Sequence, residues 1–109
     1  MAHAALDAKA DEPIILDLRK LSYSFDYFFL CSAESNRRIQ TVAEHIEEGL
    51  SEEGASVRHR EGRAEGGWLL LDYGSVIAHI FSPDARRFYE LERMWADAPR
   101  LRLKNSSRH

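Results

Sequence analysis

The chain has one cysteine, three prolines and no long apolar run in its 109 residues. Cys31 alone excludes an internal disulfide, and its place in the run Phe28-Phe29-Leu30-Cys31 reads as a buried structural thiol rather than a nucleophile. No stretch approaches the roughly 18 apolar residues of a membrane span, and the N-terminus has no signal-peptide core. The expectation is a cytoplasmic protein without membrane contact. Metal-site spacings are missing too: His3, His45, His59, His79 and His109 include no i, i+4 pair. Glu65-Gly66-Gly67 is too short for a phosphate-binding glycine loop, and no Asp-x-Asp pair occurs. Neither a cofactor nor a metal is expected. With 15 Lys and Arg against 18 Asp and Glu, the net charge of −3 argues against indiscriminate nucleic-acid binding.

What is present fits one domain with one core. Residues 2–10 favour a short helix closed by Pro13. Ile14–Leu18 reads as a first strand, and Asp26–Ser32, nearly all apolar, as a central strand covered on both faces. Ser35 is a plausible N-cap for a helix whose stripe is Ile39, Val42, Ala43, Ile46 and Leu50, with Gly54 as its stop. Val57 begins a short polar strand, and residues 62–67 form a loop. Ser82 and Pro83 open another helix, with Asp84 in its first turn and Phe88, Leu91 and Trp95 as inner stripe, ended by Pro99. This order predicts an α/β fold with a single mixed sheet of about five strands and helices packed mainly on one face. Residues 1–99 make the domain. Residues 100–109, with Arg100, Arg102, Lys104 and Arg108 and no acid, read as a disordered basic tail. The tail and the basic segment Arg58–Arg63 are read either as solvated surface or as contacts to RNA phosphate.

The stretch Gly67–Phe81, GWLLLDYGSVIAHIF, is the most informative. It predicts two strands joined by a two-residue turn at Gly74-Ser75. One face then carries Leu69, Leu71, Tyr73, Val76, Ala78 and Ile80, apolar enough to lie under a helix. The other carries Trp68, Leu70, Asp72, Ile77, His79 and Phe81, in which a carboxylate and an imidazole sit among large apolar groups. That mixture reads as a docking face with Asp72 near water or a cation. On residues alone Trp68 is balanced between core and contact, whereas Trp95 reads as core.

These residues, with Arg87-Phe88-Tyr89-Glu90-Leu91-Glu92 and Trp95 after them, resemble the signature of the Iojap-like ribosomal silencing factors. The similarity extends backwards through Asp26-Tyr27-Phe28-Phe29, Ser35-Asn36-Arg37-Arg38 and Glu61-Gly62 and covers roughly residues 5–97. The resemblance implies a nucleotidyltransferase-like sheet and a factor that binds the large ribosomal subunit at its fourteenth protein. Such a factor blocks joining of the small subunit and represses translation. It also implies that the strand from Trp68 to Asp72 meets the ribosomal protein. Ser75 departs from the family, whose bacterial members often have Asp there.

The expected contacts are Trp68, Leu70 and Asp72, flanked by Tyr73 and by Arg87, Tyr89 and Glu90. Two rivals accompany this reading. A nucleotide-binding or nucleotidyltransferase-like enzyme needs clustered carboxylates to hold a metal, whereas Asp72 stands alone on its strand. A hydrolytic set of Ser75, His79 and Asp72 rests on residue types only, so no catalytic residue is expected. The second rival is a self-associating domain, a homodimer through the mixed face.

Overall fold

The computed structural model describes residues 10–21, 25–90, 93, 96 and 98–102. Among the described residues, six strands form one sheet: β1 Asp11–Asp17, β2 Tyr27–Ser32, β3 His59–Arg63, β4 Trp68–Asp72, β5 Val76–Phe81 and β6 Arg100–Arg102. Their spatial order is β3-β4-β5-β2-β1-β6. Of these described strands, β2 and β5 run parallel and every other pair is antiparallel. Because β2 lies between β5 and β1, its near-continuous apolar run is buried from Phe28 to Ser32.

Helix α1, Asn36–Glu52, starts where its cap dictates: the Ser35 hydroxyl accepts from the Arg38 amide at 3.1 Å. Its stripe, Ile39, Val42, Ala43 and Ile46, is fully buried against Phe29, Cys31, Leu69, Leu71, Ala78 and Ile80. Helix α2, Pro83–Tyr89, is capped in the same way by Ser82, which accepts from the Ala85 amide at 3.1 Å. No described helix is long and apolar enough to cross a membrane.

The hairpin has the register read from its turn. Trp68 faces Phe81, Leu70 faces His79 and Asp72 faces Ile77, and the Tyr73 amide donates to the Val76 carbonyl at 2.9 Å. Gly74 at φ +93° supplies the left-handed conformation the turn needs. The two faces therefore carry the expected side chains.

Several expectations change. The tail does not begin at residue 100, because Arg100–Arg102 pair with β1 as a sixth strand. Charged residues are what an edge strand tolerates, so a basic segment and an edge strand look alike in sequence. The second helix is shorter than its stripe implied: Glu90 turns left-handed at φ +46° and closes α2. Phe88, assigned to the core, is consequently 80% exposed. Leu91, Trp95 and the helix expected at residues 2–10 lie outside the described residues, apart from the buried Ala10. Finally, the mixed face is only partly open. Ile77, His79 and Phe81 join Ile14, Leu16, Leu18, Phe28 and Leu30 in a second core, on which Ala85 and Ala98 also pack.

Residues 62–67 are likewise not one loop. Gly62 belongs to β3, and Ala64–Gly66 form a 3₁₀ turn before β4. Gly62 sits at φ +80°, and an added Cβ would lie 2.2 Å from the Trp68 carbonyl oxygen. Gly62→Ala should therefore cost about 1–3 kcal/mol from backbone strain alone. Leu71→Ala, which empties a fully buried site under α1, should cost about 2–5 kcal/mol. Denaturant unfolding of both variants checks these values, and a loss below about 0.5 kcal/mol at either site would contradict the packing described.

Candidate partner-binding face

Strand β4 places Trp68, Leu70 and Asp72 on one side, each half-buried, over about 13 Å of strand. Pairing with β3 sets Arg63 opposite Trp68, Glu61 opposite Leu70 and His59 opposite Asp72. The face thus continues onto an exposed, charged edge strand that sequence reasoning did not include. The alternation of His59, Glu61 and Arg63 was visible; the strand beside which it would lie was not.

Aromatic rings run through this side of the sheet. The Trp68 ring lies 4.4 Å from Tyr89, 5.1 Å from Phe81 and 5.8 Å from His79 between centroids. Phe88 meets Tyr89 edge-on at 5.1 Å, and at the other end His79 meets Phe28 at 4.7 Å. Tyr89 (43% exposed) and Phe88 extend the apolar strip from Trp68 towards solvent. Sequence reasoning missed Phe88 because its offsets from Leu91 and Trp95 fit a helical stripe.

Trp68 is fixed from below as well: its Nε1–H donates to Nδ1 of His79 at 3.1 Å. Only a neutral imidazole with its proton on Nε2 can accept there. Burial among apolar groups enforces that state, lowering the His79 pKa to about 4. Nε2 is itself buried without a hydrogen-bond partner among the described residues.

Asp72 has a structural duty beside any docking one. Its Oδ1 accepts from the Gly74 amide at 2.7 Å, bracing the hairpin turn. Tyr73 is not brought to this strip: it packs with the core under α1, where burial raises its hydroxyl pKa. Arg87 is exposed and ion-paired with Asp84, while Glu90 caps α2 and pairs with Arg93 at 3.3 Å. Of the expected contacts, the structure assembles Trp68, Leu70, Asp72 and Tyr89.

Among the described residues, no three His, Cys, Asp or Glu side chains converge as a metal would need. Ser75 is exposed in the turn, His79 spends Nδ1 on Trp68, and Asp72 is bound to Gly74, so the hydrolytic set is not assembled. Burial pushes the Cys31 thiol up to about 12, far from nucleophilic thiolate.

The family model described as "Ribosomal silencing factor during starvation" matches residues 1–109. Ribosomal silencing factor RsfS of Bacillus subtilis (strain 168) is 38% identical over 98 residues, covering 90% of this chain and 83% of that protein. The chloroplastic protein Iojap of Zea mays is 31% identical over 103 residues, covering 94% of this chain and 45% of that protein. Among solved structures, a Chromobacterium violaceum protein superposes with a TM-score of 0.83 at 32% identity, covering 87% of this chain and 79% of that one. A Bacillus halodurans crystal structure gives 0.80 at 30% identity, covering 94% and 92%.

The lowered His79 pKa makes stability depend on pH. Between the unfolded value of 6.5 and the folded value of about 4, the unfolded chain binds the proton and the folded chain does not. The contribution is complete above pH 6.5 and is lost as pH falls towards 4, by up to about 3 kcal/mol. Urea melts from pH 7 to 4 should show this slope, and His79→Phe should flatten it. An unchanged slope in the variant would assign the effect elsewhere.

Proposed function

Since the chain belongs to the ribosomal silencing factor family, whose model spans it from end to end, we propose that it silences translation by occupying the large ribosomal subunit and keeping the small subunit from joining. The contact on the ribosome is the fourteenth protein of the large subunit, at the surface where the subunits meet. The observation that carries this reading is the strip of Trp68 and Leu70, half-buried on the sheet face that α1 does not cover, continued by the exposed Tyr89 of α2 and ending at the Asp72 carboxylate. Large aromatic groups held by fixed neighbours are suited to be interface anchors, because burying them requires little further ordering.

Each group has a distinct part. Trp68 supplies desolvated area, Leu70 shape, and Tyr89 with Phe88 an aromatic margin. Asp72, with Oδ1 committed to the turn, offers Oδ2 to an arginine or lysine of the partner. Glu61 and Arg63 on β3 add charges of both signs beside the strip and restrict which partner surface fits. Arg87 and Glu90 lie at the rim. Steric exclusion breaks and makes no bond, so neither metal nor cofactor enters, consistent with relatives named as silencing factors rather than as enzymes.

Cosedimentation with separated ribosomal subunits should show binding to the large subunit, and light scattering should show reduced joining to the small one. Trp68→Ala should cost about 2 kcal/mol or more of binding, at least about thirtyfold in affinity. Asp72→Asn, which keeps the turn's acceptor oxygen, should weaken binding without altering the melt. Equal binding to both subunits, or joining unaffected at saturation, would overturn the reading. Turnover of a nucleoside triphosphate with magnesium, abolished by Asp72→Asn, would favour the enzyme instead.

A further inference from the structure

Resting on the docking role given to Trp68, we infer that His79 is a positioning residue: its Nδ1 fixes the orientation of the Trp68 indole that the large subunit meets. Phe81 and Tyr89 lie against the indole at tilted ring angles of 34° and 47°, but such contacts have little directional preference and leave the ring freedom about its side-chain torsions. One directional bond removes that freedom. The indole N–H is a donor only, and in this half-buried residue it needs an acceptor to point at.

His79 is a fixed point from which to hold it. It is 4% exposed, lies parallel to Phe81 at 5.9 Å and meets Phe28 near edge-on. Its neighbours across the strands are Leu30 on β2 and Leu70 on β4. In that apolar setting a phenylalanine would fill the space with no polar cost. The imidazole carries one: Nε2 is buried and has no partner among the described residues, a position polar groups seldom hold. What the imidazole supplies in return is an acceptor, and Trp68 takes it. A residue that no partner can touch thereby contributes to affinity by keeping an anchor in its bound orientation.

Two experiments test this, one independent of the ribosome. In the unmodified protein at pH 7, ¹⁵N imidazole shifts should place the His79 proton on Nε2 with Nδ1 accepting. A proton on Nδ1 would overturn the inference whatever the variants do. The second is a double-mutant cycle on binding to purified large subunits with His79→Phe, Trp68→Phe and both together. His79→Phe should bind about tenfold more weakly, the loss of one directional hydrogen bond. In the Trp68→Phe background, where no indole N–H remains, adding His79→Phe should change affinity less than twofold. Independent, multiplying losses would assign His79 a merely structural part and overturn the inference. Failure of the wild-type protein to bind large subunits is a different result, and overturns the docking reading itself.

Discussion

The two-residue turn at Gly74-Ser75 decides which side chains of β4 and β5 share a face, and both cores depend on that decision. A slip of one residue in β4 would send Leu69 and Leu71 away from α1 and bring Leu70 and Asp72 beneath it, while Ala78 and Ile80 stayed in place. The turn is held from three directions. Gly74 supplies the left-handed backbone, the Asp72 carboxylate accepts the Gly74 amide, and the Ser75 carbonyl receives amides of Asp26 and Tyr27 at the start of β2. The last contact joins the hairpin to the parallel neighbour that completes the sheet's centre. Local turn chemistry and the non-local pairing of β2 with β5 thus select the same register.

Much of this was legible because several short-range signals agreed. Ser35 and Ser82 cap the helices they were expected to open, and the alternation from Leu69 to Ile80 divides cleanly between faces. The errors share one cause, that periodicity does not report what lies alongside. Phe88 fits a helical stripe by spacing, yet a left-handed Glu90 closes the helix and leaves the ring in solvent. Arg100–Arg102 have the composition of a tail, and only the exposed edge of β1 makes them a strand. For the site, Trp68, Leu70 and Asp72 were readable from alternation, with Tyr89 added by the resemblance. The bond from Trp68 to His79 and the contribution of β3 were not, since both need the cross-strand geometry.

The open strip exists because of what β3 lacks. On β5 the mixed face lies in mid-sheet, flanked by β2 and β4, and it closes into a core with Phe28 and Leu30. One strand further out, β3 contributes His59, Glu61 and Arg63, none of which can roof over Trp68 and Leu70. The same sheet surface therefore passes from sealed interior to half-exposed strip within two strands. Its outward edge is charged, which discourages pairing of that edge with another chain while leaving the strip's apolar rings available.

Strand β6 has a consequence for handling the molecule. It lies four strand spacings from β4, about 19 Å across the sheet, on the edge away from β3. A fluorophore attached at position 100, exposed on β6, would therefore sit at the sheet edge opposite β3, well removed from the Trp68 strand.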